Sequence, residues 1–194
     1  MMLNNAGCGV NILYENRAKR QDWAMSDASY GNIRLARWEE IPDFGLYLDQ
    51  VLAFVRRNLP DPEGQGEKLF TSAMVNNYVK MGAISAPVKK KYSREQLALL
   101  IVIGLLKSVL PISDIRDYIS AEITDENSAL SYNSFCDMYE TAHGRAFEES
   151  EEKIASGENS LNHALIRAAV LSCAQSSVAG TLLGRLKDKQ KQIT

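Results

Sequence analysis

The sequence predicts an all-α protein, and three observations carry that prediction. Apolar residues recur at helical spacing in one segment after another. Nowhere do β-branched residues alternate with polar ones over the length of a strand. The periodic segments are separated by prolines, glycines and capping residues at points where a helix has to stop. With 194 residues, 45% of them hydrophobic and 24% charged, the chain is long and apolar enough to bury a core.

Residues 1–24 are dominated by Asn, Gly and charged side chains without a sustained period, and they read as an extension that the fold does not need. Residues 1–37 as a whole are expected to be irregular. The fold is expected to begin near Trp38, with Pro42 preventing a helix from running through that point. Leu48, Val51, Leu52, Val55 and Leu59 then recur at helical spacing, with Asp49, Gln50, Arg56 and Arg57 largely off that stripe. Pro60 to Gly66, with two prolines and two glycines, has to be a loop.

Thr71 or Ser72 caps a short helix running to about Met81, and Gly82 supplies its left-handed stop. Met74, Val75 and Tyr78 should face inward, leaving Ala73, Asn76, Asn77 and Lys80 exposed. Residues 85–92 read as a turn or small β-hairpin with a basic tip. Ser93 with Gln96 forms a capping box for a helix from Arg94 to about Leu110, apolar nearly all round and therefore central. Pro111 marks its end, and Ser113 caps a further short helix to Ile119. Residues 130–156 fit an amphipathic helix stopped at Gly157. Asn159 or Ser160 caps a long last helix to about Lys189, rich in Leu and Ala.

Composition excludes several function classes. Cys8, Cys136 and Cys173 are far apart and odd in number, so there is no disulfide framework or zinc-binding spacing, and a reducing cytoplasm is the expected compartment. Cys136 and Cys173 fall on apolar helical faces, as small core residues do. His143 and His163 have no ligating neighbours at metal spacing. No phosphate-binding glycine loop or nucleophile motif occurs. The strongly apolar run Leu97–Leu106 is half the length of a membrane span. The expectation is therefore a cytoplasmic non-enzyme with no catalytic residue, metal, cofactor or membrane partner.

The net charge of −2 hides an asymmetry. Lys68, Lys80, Lys89, Lys90, Lys91 and Arg94 fall in a stretch without one Asp or Glu, whereas the rest of the chain carries 16 basic against 24 acidic residues. A basic block on an acidic chain is the electrostatic footprint of a nucleic-acid partner, located at that block.

The order polar-faced helix, glycine stop, basic turn, Tyr92-Ser93 cap, buried helix resembles the winged helix-turn-helix of the MerR superfamily. On that resemblance Val75, Asn76, Asn77 and Tyr78 stand at the recognition-helix positions, Lys90 at the wing, and Ile112 to Ile115 in the segment beyond. The wing is shorter than that family's, and Asn76 replaces its usual arginine. A closer resemblance is to the bacterial family called domain of unknown function 1836, known mainly from Gram-positive species. Asp49-Gln50-Val51, Leu69 to Lys80 (with Phe70 inserted), Lys90 to Leu97 and Leu105-Leu106-Lys107 carry it, and it covers roughly residues 38–185. It implies a regulatory role without an assigned activity.

These readings divide the chain into an extension (1–37), a MerR-like winged helix-turn-helix with a small β-hairpin wing (38–120), and a helical dimerisation or effector region (121–194). The expected function is a sequence-specific transcriptional regulator, a homodimer on double-stranded DNA with an unknown effector. Helix 72–81 and the basic wing 85–92 would bind through Ser72, Ala73, Asn76, Asn77, Lys80, Lys89, Lys90, Lys91 and Arg94. Asparagine matches the donor–acceptor edge of adenine, and lysines neutralise phosphates without reading sequence. The alternative is an interaction adaptor that keeps the helix-turn-helix shape without touching DNA.

Overall fold

The structure is a computed structural model that describes residues 33–62, 64–123 and 127–193. The extension expected over residues 1–24, and Cys8 within it, lie outside the described residues. Among the described residues six α-helices follow in order: α1 (Leu48–Arg57), α2 (Ser72–Lys80), α3 (Arg94–Leu106), α4 (Ile112–Glu122), α5 (Ser128–Ala155) and α6 (Leu161–Ile193). No strand forms among the described residues, and the chain is all-α.

Helix α3 is the axis of the core. Leu97, Leu100, Ile101, Val102 and Ile103 are all at most 1% exposed. A 13-residue helix can be apolar on every side only if neighbours cover every side, and α1, α4 and α5 all pack on it. Where α1 ends, Leu59 presses on Gly104: a Cβ at Gly104 would stand 2.6 Å from Leu59 Cδ1. Hydrogen there allows the close approach. Helix α3 stops at Leu106, short of the expected Leu110, because Lys107 to Leu110 turn ahead of Pro111. Helix α4 begins at Ile112 with Pro111 at its N-cap, two residues before the expected Ser113 cap.

The core continues past residue 120 into the first half of α5, where Tyr132, Phe135 and Cys136 join it. The strand-like lead-in before Trp38 is strapped onto that half by polar groups. The Leu35 N–H donates to Glu140 Oε1 at 2.6 Å, Arg37 donates to Glu140 Oε2 at 2.6 Å, the Trp38 N–H donates to Asn133 Oδ1 at 2.9 Å, and the Tyr132 hydroxyl donates to the Ala36 carbonyl at 2.8 Å. Burial pushes the Tyr132 hydroxyl and the Cys136 thiol up from their ordinary values, so both stay protonated.

Beyond Tyr139 the second half of α5 buries nothing fully and pairs with α6 in an αα-hairpin. Ser160 caps α6, its Oγ accepting from the His163 N–H at 3.3 Å. Lys187 near the other end of α6 reaches Asp114 of α4 at 2.6 Å. In α6 only Ala164 is buried among the described side chains. Over Leu161–Lys189 this helix is long and apolar enough, by length and composition alone, to cross a membrane, although the shorter apolar run in α3 is a core helix.

Candidate nucleic-acid interface

Helix α2 is held by two anchors and a defined start and stop. Val75 is fully buried and Tyr78 3% exposed, with Met74 half-buried, as the helical spacing requires. The start is capped by Thr71, whose Oγ1 accepts from the Met74 N–H at 3.3 Å. The stop is a Schellman motif. The Ala83 N–H donates to the Tyr78 carbonyl at 2.9 Å and the Gly82 N–H to the Val79 carbonyl at 3.0 Å, with Gly82 at φ +70°. Glycine is the residue that adopts this conformation without a steric penalty.

With Val75 and Tyr78 pointing in, the opposite arc of α2 presents Ser72, Ala73, Asn76, Asn77 and Lys80, and all five are exposed. Among the described residues the Asn77 side chain makes only a contact with Met81 Sδ at 3.3 Å, and the side chains of Asn76 and Lys80 have no hydrogen-bond partner. An arc of short polar side chains flanked by one lysine has the shape and chemistry to meet base edges in a major groove.

The lead into α2 is clamped by two cations from neighbouring helices. Arg56 Nε of α1 donates to the Phe70 carbonyl at 2.8 Å, and Lys107 Nζ, just past α3, donates to the Leu69 carbonyl at 2.8 Å. The Lys107 ammonium also lies 5.5 Å from the centre of the Phe70 ring. Burial holds its pKa below the usual lysine value. Sequence reasoning missed both residues as site-forming. An arginine off an apolar stripe and a lysine ending an apolar run carry no signal of which carbonyl they will reach.

Of the turn or small β-hairpin expected over residues 85–92, the turn forms, and no strand flanks it among the described residues. Val88 and Lys91 exchange both backbone hydrogen bonds, at 3.0 and 2.9 Å, around Lys89 at φ +49° and Lys90 at φ +66°. Two consecutive positive φ values within such a pair describe a type I′ turn. The ladder ends after this single bridge: the next hydrogen-bonded pair would join Ala86 and Ser93, and the Ser93 N–H is taken by Gln96 Oε1. Tyr92 instead exchanges its hydrogen bonds with Leu46, at 3.0 and 2.8 Å. Asn and Gly suit a type I′ turn, and a non-glycine residue held in the left-handed region costs about 1–3 kcal/mol. Lys89 and Lys90 are thus held at the tip at an energetic cost, exposed and without an ion pair among the described residues.

The other two cations of the expected set are occupied. Lys91 packs its aliphatic stem on Gly45 and places Nζ 5.2 Å from the centre of the Tyr47 ring. Arg94 is half-buried: its Nε donates to the Ile41 carbonyl at 2.9 Å and its guanidinium lies over Trp38. Of the expected set, the charges without a partner among the described residues are therefore Lys80, Lys89 and Lys90, while Lys91 and Arg94 brace the surface that carries them. Ser93 and Gln96 form the capping box that the sequence predicts, with Ser93 N–H to Gln96 Oε1 at 2.8 Å and Gln96 N–H to Ser93 Oγ at 3.4 Å. Gln96 also donates from Nε2 to the Ser85 carbonyl at 2.7 Å, tying the entry of the turn to α3.

The family described as "Domain of unknown function (DUF1836)" matches residues 36–141, more than half of the chain. The chain belongs to this family. No curated protein and no solved structure matches it. The DUF1836 stretch begins and ends at the strap on α5, where Ala36 accepts from Tyr132 and Glu140 holds Leu35 and Arg37. Both α2 and the basic turn lie inside it. The α5–α6 hairpin beyond residue 141 lies outside it.

Proposed function

We propose that this DUF1836 protein is a sequence-specific, double-stranded-DNA-binding transcriptional regulator of the cytoplasm, with a MerR-like winged helix-turn-helix. Helix α2 is its recognition helix and the lysine turn is a minimal wing. The observation that carries the reading is the exposed, mostly polar arc of α2 from Ser72 to Lys80, held in place by Val75 and Tyr78, with Lys89 and Lys90 exposed and without an ion pair among the described residues. Asn76 and Asn77 read base edges, and Lys80, Lys89 and Lys90 contact phosphates. Ser72 and Ala73, at the N-terminal end of the helix, lie against the DNA backbone, where N–H groups favour an anion. Lys91 and Arg94 serve by bracing the turn.

Selection of bound sequences from a random DNA pool tests this directly, followed by a salt titration on the enriched site. Enrichment of a short site is expected. Binding should also weaken with salt at a slope of about 0.9 log unit per phosphate contact, and the slope should fall when Lys89 and Lys90 are replaced by alanine. A pool that stays unenriched would leave the interaction-adaptor reading in its place.

A further inference from the structure

We infer that α6 is an antiparallel self-association helix, whose occupant is the α6 of a second copy of this chain. The inference is independent of the DNA reading. Among the described side chains of α6 eight large apolar ones are exposed, and residues 168–184 contain no charged residue. Ala168, Leu171, Gln175, Val178 and Leu182, all exposed, follow one another at alternating spacings of three and four, the pattern of a helix–helix seam. Within this seam Leu171, Val178 and Leu182 are 44%, 52% and 52% exposed.

Shape and charge both select the antiparallel orientation. The seam is small at its start and large at its end. Reversing a second copy about Gln175 sets Ala168 against Leu182 and Leu171 against Val178, so that small meets large. A parallel pair would set Ala on Ala and Leu on Leu. Glu149 of α5 bonds Arg167 of α6, which places the acidic end of α5 level with the first turns of α6. There Glu148, Glu151 and Glu152 make no ion pair among the described residues, and neither do Arg185 and Lys189 at the opposite end of α6. Antiparallel pairing brings the acidic end of one copy to the basic end of the other, and parallel pairing stacks like on like. A bilayer is a poorer occupant. The Glu149–Arg167 pair ties α6 to a neighbour lined with carboxylates, which hydrocarbon would have to admit as well.

Sedimentation of the full chain without DNA, with cross-linking in a Cys8→Ser, Cys173→Ser background, tests the inference. The wild type is expected to sediment as a dimer at micromolar concentration. Leu182→Glu, at a half-exposed position, is expected to keep its helical circular dichroism while weakening the dimer at least about 100-fold. Ala168→Cys protein mixed with Leu182→Cys protein is expected to form the mixed disulfide, and neither variant alone should cross-link. A monomeric wild type overturns the inference, and so does a dimer indifferent to Leu182→Glu. Self-linking of Ala168→Cys alone would show a parallel pair. A monomer that floats with phosphatidylglycerol vesicles would assign the face to lipid instead.

Discussion

Lys107 Nζ donates to the Leu69 carbonyl oxygen at 2.8 Å, and through this bond the buried helix α3 fixes where the exposed helix α2 begins. The carbonyl lies two residues before the Thr71 cap, and Arg56 holds the next carbonyl, that of Phe70. The two cations thus act as pins rather than as contributors to the basic surface.

Replacing the pin by Lys107→Met should leave the Leu69 carbonyl without its donor. A buried acceptor that loses its partner costs about 1–3 kcal/mol, reduced here because a partly desolvated ammonium is removed as well. The expected outcome in urea unfolding is a lower midpoint at unchanged m-value. DNA affinity should fall by more than the loss of one distant charge explains, since α2 loses its fixed start.

The lysine turn should separate stability from binding. In the double variant Lys89→Asn, Lys90→Gly the residues suit a type I′ turn, so the left-handed strain is relieved. Stability should rise by about 1 kcal/mol or more, read as a higher melting temperature. Affinity for DNA should fall for all sequences alike. A variant that is both more stable and equally avid would remove the turn from the interface.

Asn76→Ala and Asn77→Ala should behave as surface changes in the folded protein, within about 0.5 kcal/mol of the parent in stability. Each should relax base preference at one or two positions of the selected site, where a bidentate contact is worth about 1–3 kcal/mol. The comparison to make is between the sequence preferences of parent and variant, not between their affinities for one site.

Acid should loosen the α5–α6 hairpin first. The Arg167 guanidinium bonded to Glu149, with Lys153 beside it, holds that carboxyl below its ordinary value of 4.5. A carboxyl depressed in the folded state stabilises it above the unfolded value. That contribution is lost as pH falls from about 4.5 through the lower folded value. Hydrogen exchange across Glu148–Arg167 should therefore quicken below about pH 4.5 before the α3 core responds, and Glu149→Gln should flatten the difference.

By itself the sequence determined what depends on near neighbours. The apolar spacing set the inward side of α2, so its exposed arc was legible down to Asn76, Asn77 and Lys80. The Gly82 stop and the Ser93–Gln96 cap were legible too, because each closes hydrogen bonds within a few residues. Only the tertiary structure decided which cations are free. Lys91 and Arg94 belong to the same basic block as Lys89 and Lys90, yet one sits on Tyr47 and the other binds the Ile41 carbonyl. The outward edge of Tyr92 pairs with Leu46, and the lead-in of the fold is strapped to α5 through Glu140 and Tyr132. In every such case the partner is distant in sequence. A side chain's charge fixes what it can bind, and only the packing of the helices fixes whether that partner is a carbonyl, a ring or the solvent.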